Sequence, residues 1–127
     1  RVLLLEWVEP PYSPGHWVPE QIHAAGLHSV IGSPGDRSRP LPWEEIREAA
    51  PEGIGVISCG FGLEENLVWA RKLADQPALK SWFTGPVVAF DANRSFSRPT
   101  LRIVDGAEQL HRAFEKGEQE GPGFRRV

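Results

Sequence analysis

The sequence has one cysteine, no methionine, no long apolar run and little net charge. A lone Cys59 excludes an internal disulfide framework and any zinc site built from several cysteines, but it leaves the compartment open, because large secreted domains often lack disulfides. No apolar stretch approaches the ~20 residues of a membrane-spanning helix and none has the layout of a signal peptide, so no direct membrane insertion is expected. The net charge of −3 gives no electrostatic basis for binding nucleic acid. The basic clusters, Arg37 with Arg39 and Arg125 with Arg126, are too small to change that. A chain without methionine that opens directly on Arg1-Val2-Leu3-Leu4-Leu5 reads as a piece of a longer product, with any export signal upstream.

At 127 residues with 40% hydrophobic and 24% charged side chains, the composition is that of one globular domain able to hold a core without staples. Val2 to Trp7 is an apolar run interrupted only by Glu6, which suits a strand covered on both faces. Short strands are predicted at Leu27–Ile31, Ile54–Ser58 and Val87–Phe90. Helices are predicted over Val18–Ala25, Pro42–Ala50 and Leu63–Ala74, with a last one from about Pro99 to Lys116. Its apolar face would be Leu101, Val104, Ala107, Leu110 and Phe114, and Gly117 would stop it. Glu44 and Glu45 open the second helix and should face solvent, and residues 118–127 read as a polar, mobile tail.

Strands alternating with helices indicate an α/β layer fold with a mainly parallel sheet of about four strands, its ligands gathering at the carboxyl ends of the strands. Unusual loops follow three of those ends: Pro10 to Trp17, Cys59 to Gly62 and Asp91 to Arg98, which should meet on one rim. The first lies in a stretch, Glu9 to Glu20, where prolines stiffen the backbone and leave Tyr12, His16 and Trp17 displayed. Tyr12, Trp17, Phe61 and Phe96 all lie in or beside these loops, and clustered aromatics suit a bulky apolar ligand as well as a capped core. Cys59, at a strand end before a helix, has a position that could activate a nucleophile, but a buried structural thiol is the favoured reading. His16, His23 and His28 with Glu9 and Glu20 are metal-ligand types whose spacing matches no specific zinc motif. Gly60 and Gly62 complete no nucleotide fingerprint.

Taken together, Glu-Trp-Val-Glu-Pro-Pro-Tyr-Ser-Pro-Gly-His-Trp-Val-Pro-Glu-Gln-Ile (Glu6 to Ile22), Trp43-Glu44-Glu45, Cys59-Gly60-Phe61-Gly62 and Asp91-Ala92-Asn93 running into Phe96-Ser97-Arg98-Pro99 resemble the cobalamin-binding substrate-binding proteins of ABC importers. The match covers the carboxy-terminal lobe of that family. It implies that residues 1–117 form one Rossmann-like lobe of a two-lobe, extracytoplasmic protein that holds a vitamin B12-like corrinoid between the lobes. It also implies a missing amino-terminal lobe, a membrane permease as partner, and neither catalytic residues nor a cofactor. The resemblance implies Tyr12, Phe96 and Arg98 as ligand contacts, sets Asn93 near the family's acidic contact and Trp17 in a subgroup pattern, and makes Glu44 the glutamate that docks on the permease; Phe61 completes the expected ligand-binding set as a rim aromatic. The alternatives are a receptor of the same fold for a metal ion, haem or an iron chelate, and a hydrolase or transferase using Cys59.

Overall fold

The computed structural model describes residues 1–58, 60–96 and 102–127. Cys59, Arg98 and the expected helix start at Pro99 lie outside them. The central sheet has five strands in the order β1 (Val2–Leu5), β4 (Gly53–Val56), β5 (Val87–Phe90), β7 (Phe124–Arg126) and β6 (Glu120–Gly121). The first three run parallel in a mixed α/β sheet, as the alternation of strands and helices predicts, and β7 and β6 add antiparallel.

Alternation along the strands divides the core in two. Leu3, Leu5, Ile54, Val56, Val87 and Ala89 face α2 (Trp43–Ala49), α3 (Leu63–Ala74) and α4 (Pro77–Lys80). Val2, Leu4, Val88 and Phe90 face α1 (Val18–Ala24) and α6 (Arg102–Leu110), which continues as a π-helical turn through Glu115. β4 carries glycine on this second face because there is no room for more. A Cβ on Gly55 would lie 2.5 Å from Leu4 Cδ2 and 2.8 Å from the Phe90 ring, and one on Gly53 would lie 2.7 Å from the Phe114 ring. Leu3, Leu4 and Leu5 are fully buried, each stabilising the fold by about 1.5–3 kcal/mol.

Four expectations are corrected. Residues 27–31 form no strand but a single parallel bridge, Ser29 to Val2, framed by the Val2 N–H to His28 carbonyl bond at 2.8 Å and the Val30 N–H to Val2 carbonyl bond at 3.1 Å. The chain then leaves along Ile31, which turns inward. Val104 is 71% exposed, because steps of three residues drift around a helix and set position 104 about 120° from Leu110. Leu110 and Ala113 are buried instead, with Ala107 and Phe114 partly buried against the same core. The tail is no free extension: β7 pairs with β5, and Phe124 is buried against Phe90. Glu45 is not free in solvent but paired with both terminal nitrogens of Arg39, whereas Glu44 is exposed. Gly117 does end the last helix, at φ 67°.

Candidate functional site

β1 stops at Leu5, and Glu6 turns the chain into a two-stranded hairpin, β2 (Trp7–Val8) with β3 (Pro11–Tyr12), closed around a cis Glu9–Pro10 bond. Proline-rich sequence hides so short a ladder. The stretch that follows is held by residues 32–41 rather than by its own hydrogen bonds. The Ser13 N–H donates to the Arg39 carbonyl at 2.8 Å, the Arg39 N–H donates to Ser13 Oγ at 3.0 Å, and the Leu41 N–H donates to the Pro11 carbonyl at 2.7 Å. His16, a non-glycine residue at φ 56°, is clamped on both sides: its N–H donates to Asp36 O at 2.7 Å, and its carbonyl accepts from the Gly35 N–H at 3.0 Å. The two loops approach so closely that a Cβ on Gly15 would lie 2.6 Å from Ser38 N, so glycine is required there.

The other two strand ends are tied together from below. Buried Asn66 of α3 accepts from the Ser58 N–H at 3.1 Å and donates to the Phe90 carbonyl at 2.8 Å, joining the ends of β4 and β5. Beyond them Asn93 Nδ2 donates to the Gly60 carbonyl at 3.1 Å and the Asn93 N–H to the Phe61 carbonyl at 3.3 Å. Asp91 caps the short helix α5 (Ala92–Ser95) by accepting from the Arg94 N–H at 3.1 Å. Trp17 Nε1 then donates to the Phe96 carbonyl at 2.9 Å, linking the first loop to the third. The three strand-end loops thus meet on one rim.

Between the first and third loops lies a cavity of about 250 Å³ lined by Glu6, Gly15, His16, Trp17, Val18, Ile57 and Phe96. Val18, Ile57 and Phe96 belong to the second-face core, and Phe96, only 3% exposed, stands edge-on to Phe90 at 5.5 Å. The walls are therefore continuous with the core and stiff. Glu6 is the carboxylate among them, with Oε2 accepting from the Gly15 N–H. Burial raises its pKa, with the Gly15 hydrogen bond and the charge of His16 opposing.

Of the residues singled out in the sequence, Trp17 and Phe96 line this cavity, with His16 at its exposed side. Tyr12 does not; it is half-buried in the hairpin, opposite Trp7 and bridged to Pro40. Phe61 leans the other way, 5.7 Å from the Trp7 ring, in a row that continues to Trp69 at 5.3 Å and ends with Lys72 over Trp69 at 4.6 Å. Asn93 is exposed and spends its amide on Gly60. Glu6 and Ile57 are additions that the aromatic inventory did not contain. The signal for Glu6 was present in the sequence, as the single acid inside an apolar strand run. Among the described residues, no group of three or more His, Cys, Asp or Glu is placed to hold a metal ion, and no helix is long and apolar enough to cross a membrane.

No protein-family model and no curated protein matches the sequence. Solved structures match the fold. An ABC transporter substrate-binding protein from Listeria monocytogenes EGD-e superposes with TM-score 0.68 at 16% identity over 87% of this chain. A periplasmic heme binding protein from Pseudomonas aeruginosa gives 0.65 at 16% identity over 98%. The periplasmic heme binding protein HutB of Vibrio cholerae gives 0.54 at 21% identity over 87%. The chain spans 45%, 47% and 44% of those proteins respectively. The fold is accordingly that of a single lobe of a two-lobe binding protein, a mainly parallel α/β sheet with flanking helices.

Proposed function

We propose that this chain is one lobe of an extracytoplasmic substrate-binding protein that captures a corrinoid in a cleft and delivers it to an ABC importer, without chemistry of its own. The observation that carries the reading is the convergence of three strand-end loops on a braced rim, with Trp17 and Phe96 as stiff walls of a cavity that opens there. At about 250 Å³ the cavity falls below the ~300–1,000 Å³ of sites that enclose a whole ligand. It suits one arm of a large macrocycle whose ring rests across the rim, the remainder being covered by a second lobe. Corrinoid is favoured over other macrocycles by the motifs from Glu6 to Ile22 and from Asp91 to Pro99, which resemble the cobalamin-binding receptors. Glu44, exposed in the first turn of α2, is the proposed permease contact. A rim charge of this kind orients docking and loses effect with salt.

Haem is the second reading, favoured by His16, an exposed imidazole beside the cavity and a ligand type for haem iron. Three of the solved neighbours are described as haem-binding. The test is to titrate the full-length protein separately with cyanocobalamin and with hemin, following tryptophan fluorescence and the ligand's visible absorption. Saturable cobalamin binding at micromolar or lower concentration is expected. Hemin binding that His16→Ala abolishes, with no response to cobalamin, would replace the corrinoid reading by the haem one.

A further inference from the structure

Glu6 stands where the chain leaves the sheet, at the end of the apolar strand β1. A carboxylate there would ordinarily turn into water. Instead it lines the cavity beside Trp17, Val18, Ile57 and Phe96. The Gly15 N–H fixes Oε2, and Gly15 is itself held by the close approach of residues 36–38, so the carboxylate is oriented by backbone rather than by a mobile side chain. Among the described residues Oε1 has no hydrogen-bond partner. An ionised carboxylate accepts only, and Oε1 is not sealed from water, so it faces the open cavity able to accept from water or from a ligand's donor. The described lining residues include no Lys or Arg to supply such a donor.

We propose that Glu6 is a specificity-determining residue: the cavity takes a carboxamide arm of the macrocyclic ligand, whose N–H donates to Glu6, and turns away the same arm as a carboxylate. The proposal rests on the corrinoid reading only in needing a macrocycle with peripheral arms. Two carboxylates repel across a half-dry pocket in which His16, at the exposed side, is the one basic side chain among the described lining residues, whereas an amide brings a donor and a neutral body. Trp17 and Phe96 hold the arm's methylenes, and Glu6 reads its end group.

The test uses pairs of probes that share a ring. Dicyanocobinamide, whose arms are amides, is compared with dicyanocobyrinic acid, and the bis-amide of hemin with hemin. Each is titrated into the full-length protein and into Glu6→Gln, which keeps an acceptor for the Gly15 N–H. Glu48→Gln, on the exposed side of α2, removes the same charge elsewhere and controls for general repulsion. In wild type and in Glu48→Gln the amide member of a pair should bind roughly tenfold tighter or more, and in Glu6→Gln the preference should shrink to within about threefold. A preference that is the same in Glu6→Gln as in wild type, or a wild-type preference for the acid, overturns the proposal. If only the porphyrin pair binds, the corrinoid reading fails and the porphyrin pair alone decides the role of Glu6. Binding of neither ring overturns both.

Discussion

The two ends of the sheet differ in a way that cavity size alone would misjudge. The amino end has larger hollows, about 350 Å³ each: one is walled by Glu52, Trp82, Phe83 and Gly85, another by Arg1, Gly53, Pro86 and Phe114. The carboxyl end has one of about 250 Å³. At the amino end, turn backbone lies against turn backbone: the Glu52 N–H bonds to the Arg1 carbonyl at 2.8 Å, and a Cβ on Gly85 would lie 1.9 Å from the Glu52 carbonyl oxygen. At the carboxyl end backbone also lies against backbone where Gly15 meets Ser38, but the first and third loops are tied by Trp17 Nε1 to the Phe96 carbonyl and present side chains into the gap between them. The hollows at the amino end carry charged groups too, Arg1, Glu52 and Glu115; what sets the smaller cavity apart is that its walls are tied across two strand-end loops by the Trp17–Phe96 bond and its carboxylate is held by the Gly15 N–H. In parallel sheets that is also the end where ligands are bound.

That contrast is tested most severely by Gly85→Ala. The added methyl would lie 1.9 Å from the Glu52 carbonyl oxygen and 2.8 Å from the Phe83 ring, so the cost should be about 3 kcal/mol or more, read as a lowered urea midpoint. Ligand affinity of the fraction still folded should be unchanged, because position 85 lies at the far end of β5 from the cavity. A stable Gly85→Ala protein, or a folded one with altered affinity, would break the distinction between a structural and a presenting end.

The same contrast explains what could be read from the sequence. Segments whose neighbours along the chain decide their structure were legible: α3 was predicted over Leu63–Ala74 and β5 over Val87–Phe90, with the observed bounds. Both have unbroken periodicity and clear stops. The pieces set by distant partners were not. β7 has one fully buried residue, Phe124, within polar sequence, and its pairing with β5 spans more than thirty intervening residues. The hairpin at Trp7–Tyr12 reads as a proline loop because only two residue pairs define it. Its turn is what rotates Tyr12 away from the cavity and sets Trp7 against Phe61. Trp17 and Phe96 could be placed on the rim from their strand-end positions, but their mutual hydrogen bond and the inward carboxylate of Glu6 depend on how the loops fold back. Arg98, the contact the family resemblance implies beyond Phe96, lies outside the described residues.

A smaller effect is expected from Trp17→Phe. The substitution keeps an aromatic wall and deletes the Nε1 bond to the Phe96 carbonyl, the direct tie between the first and third loops. A loss of about 1 kcal/mol in denaturant unfolding is expected. Ligand dissociation should quicken, since the wall is no longer anchored. Unchanged dissociation with the same stability loss would mean that the tie serves the core and not the rim, and the carboxyl end would then resemble the amino end more closely than its geometry indicates.

The smallest effect, and the most diagnostic of the cavity's polarity, is the pH dependence of stability at Glu6. Burial raises the Glu6 pKa above its ordinary 4.5, so protons bind the folded protein more tightly than the unfolded chain at this site. The stabilisation is therefore fully present below pH 4.5 and lost as pH rises through the folded value. Glu6→Gln has no such term. Its stability relative to wild type should increase with pH above 4.5 and then level off, in denaturant titrations carried out without ligand. The Gly15 N–H and the nearby charge of His16 oppose burial and so reduce the effect. A wild type whose stability instead gained on Glu6→Gln as pH rose would show the carboxylate to be well paired or hydrogen-bonded, and no difference with pH would show it to be well solvated. The carboxyl-end cavity would then be as uncommitted as the hollows at the opposite end, whereas the expected sign marks a carboxylate that burial penalises at the cavity wall.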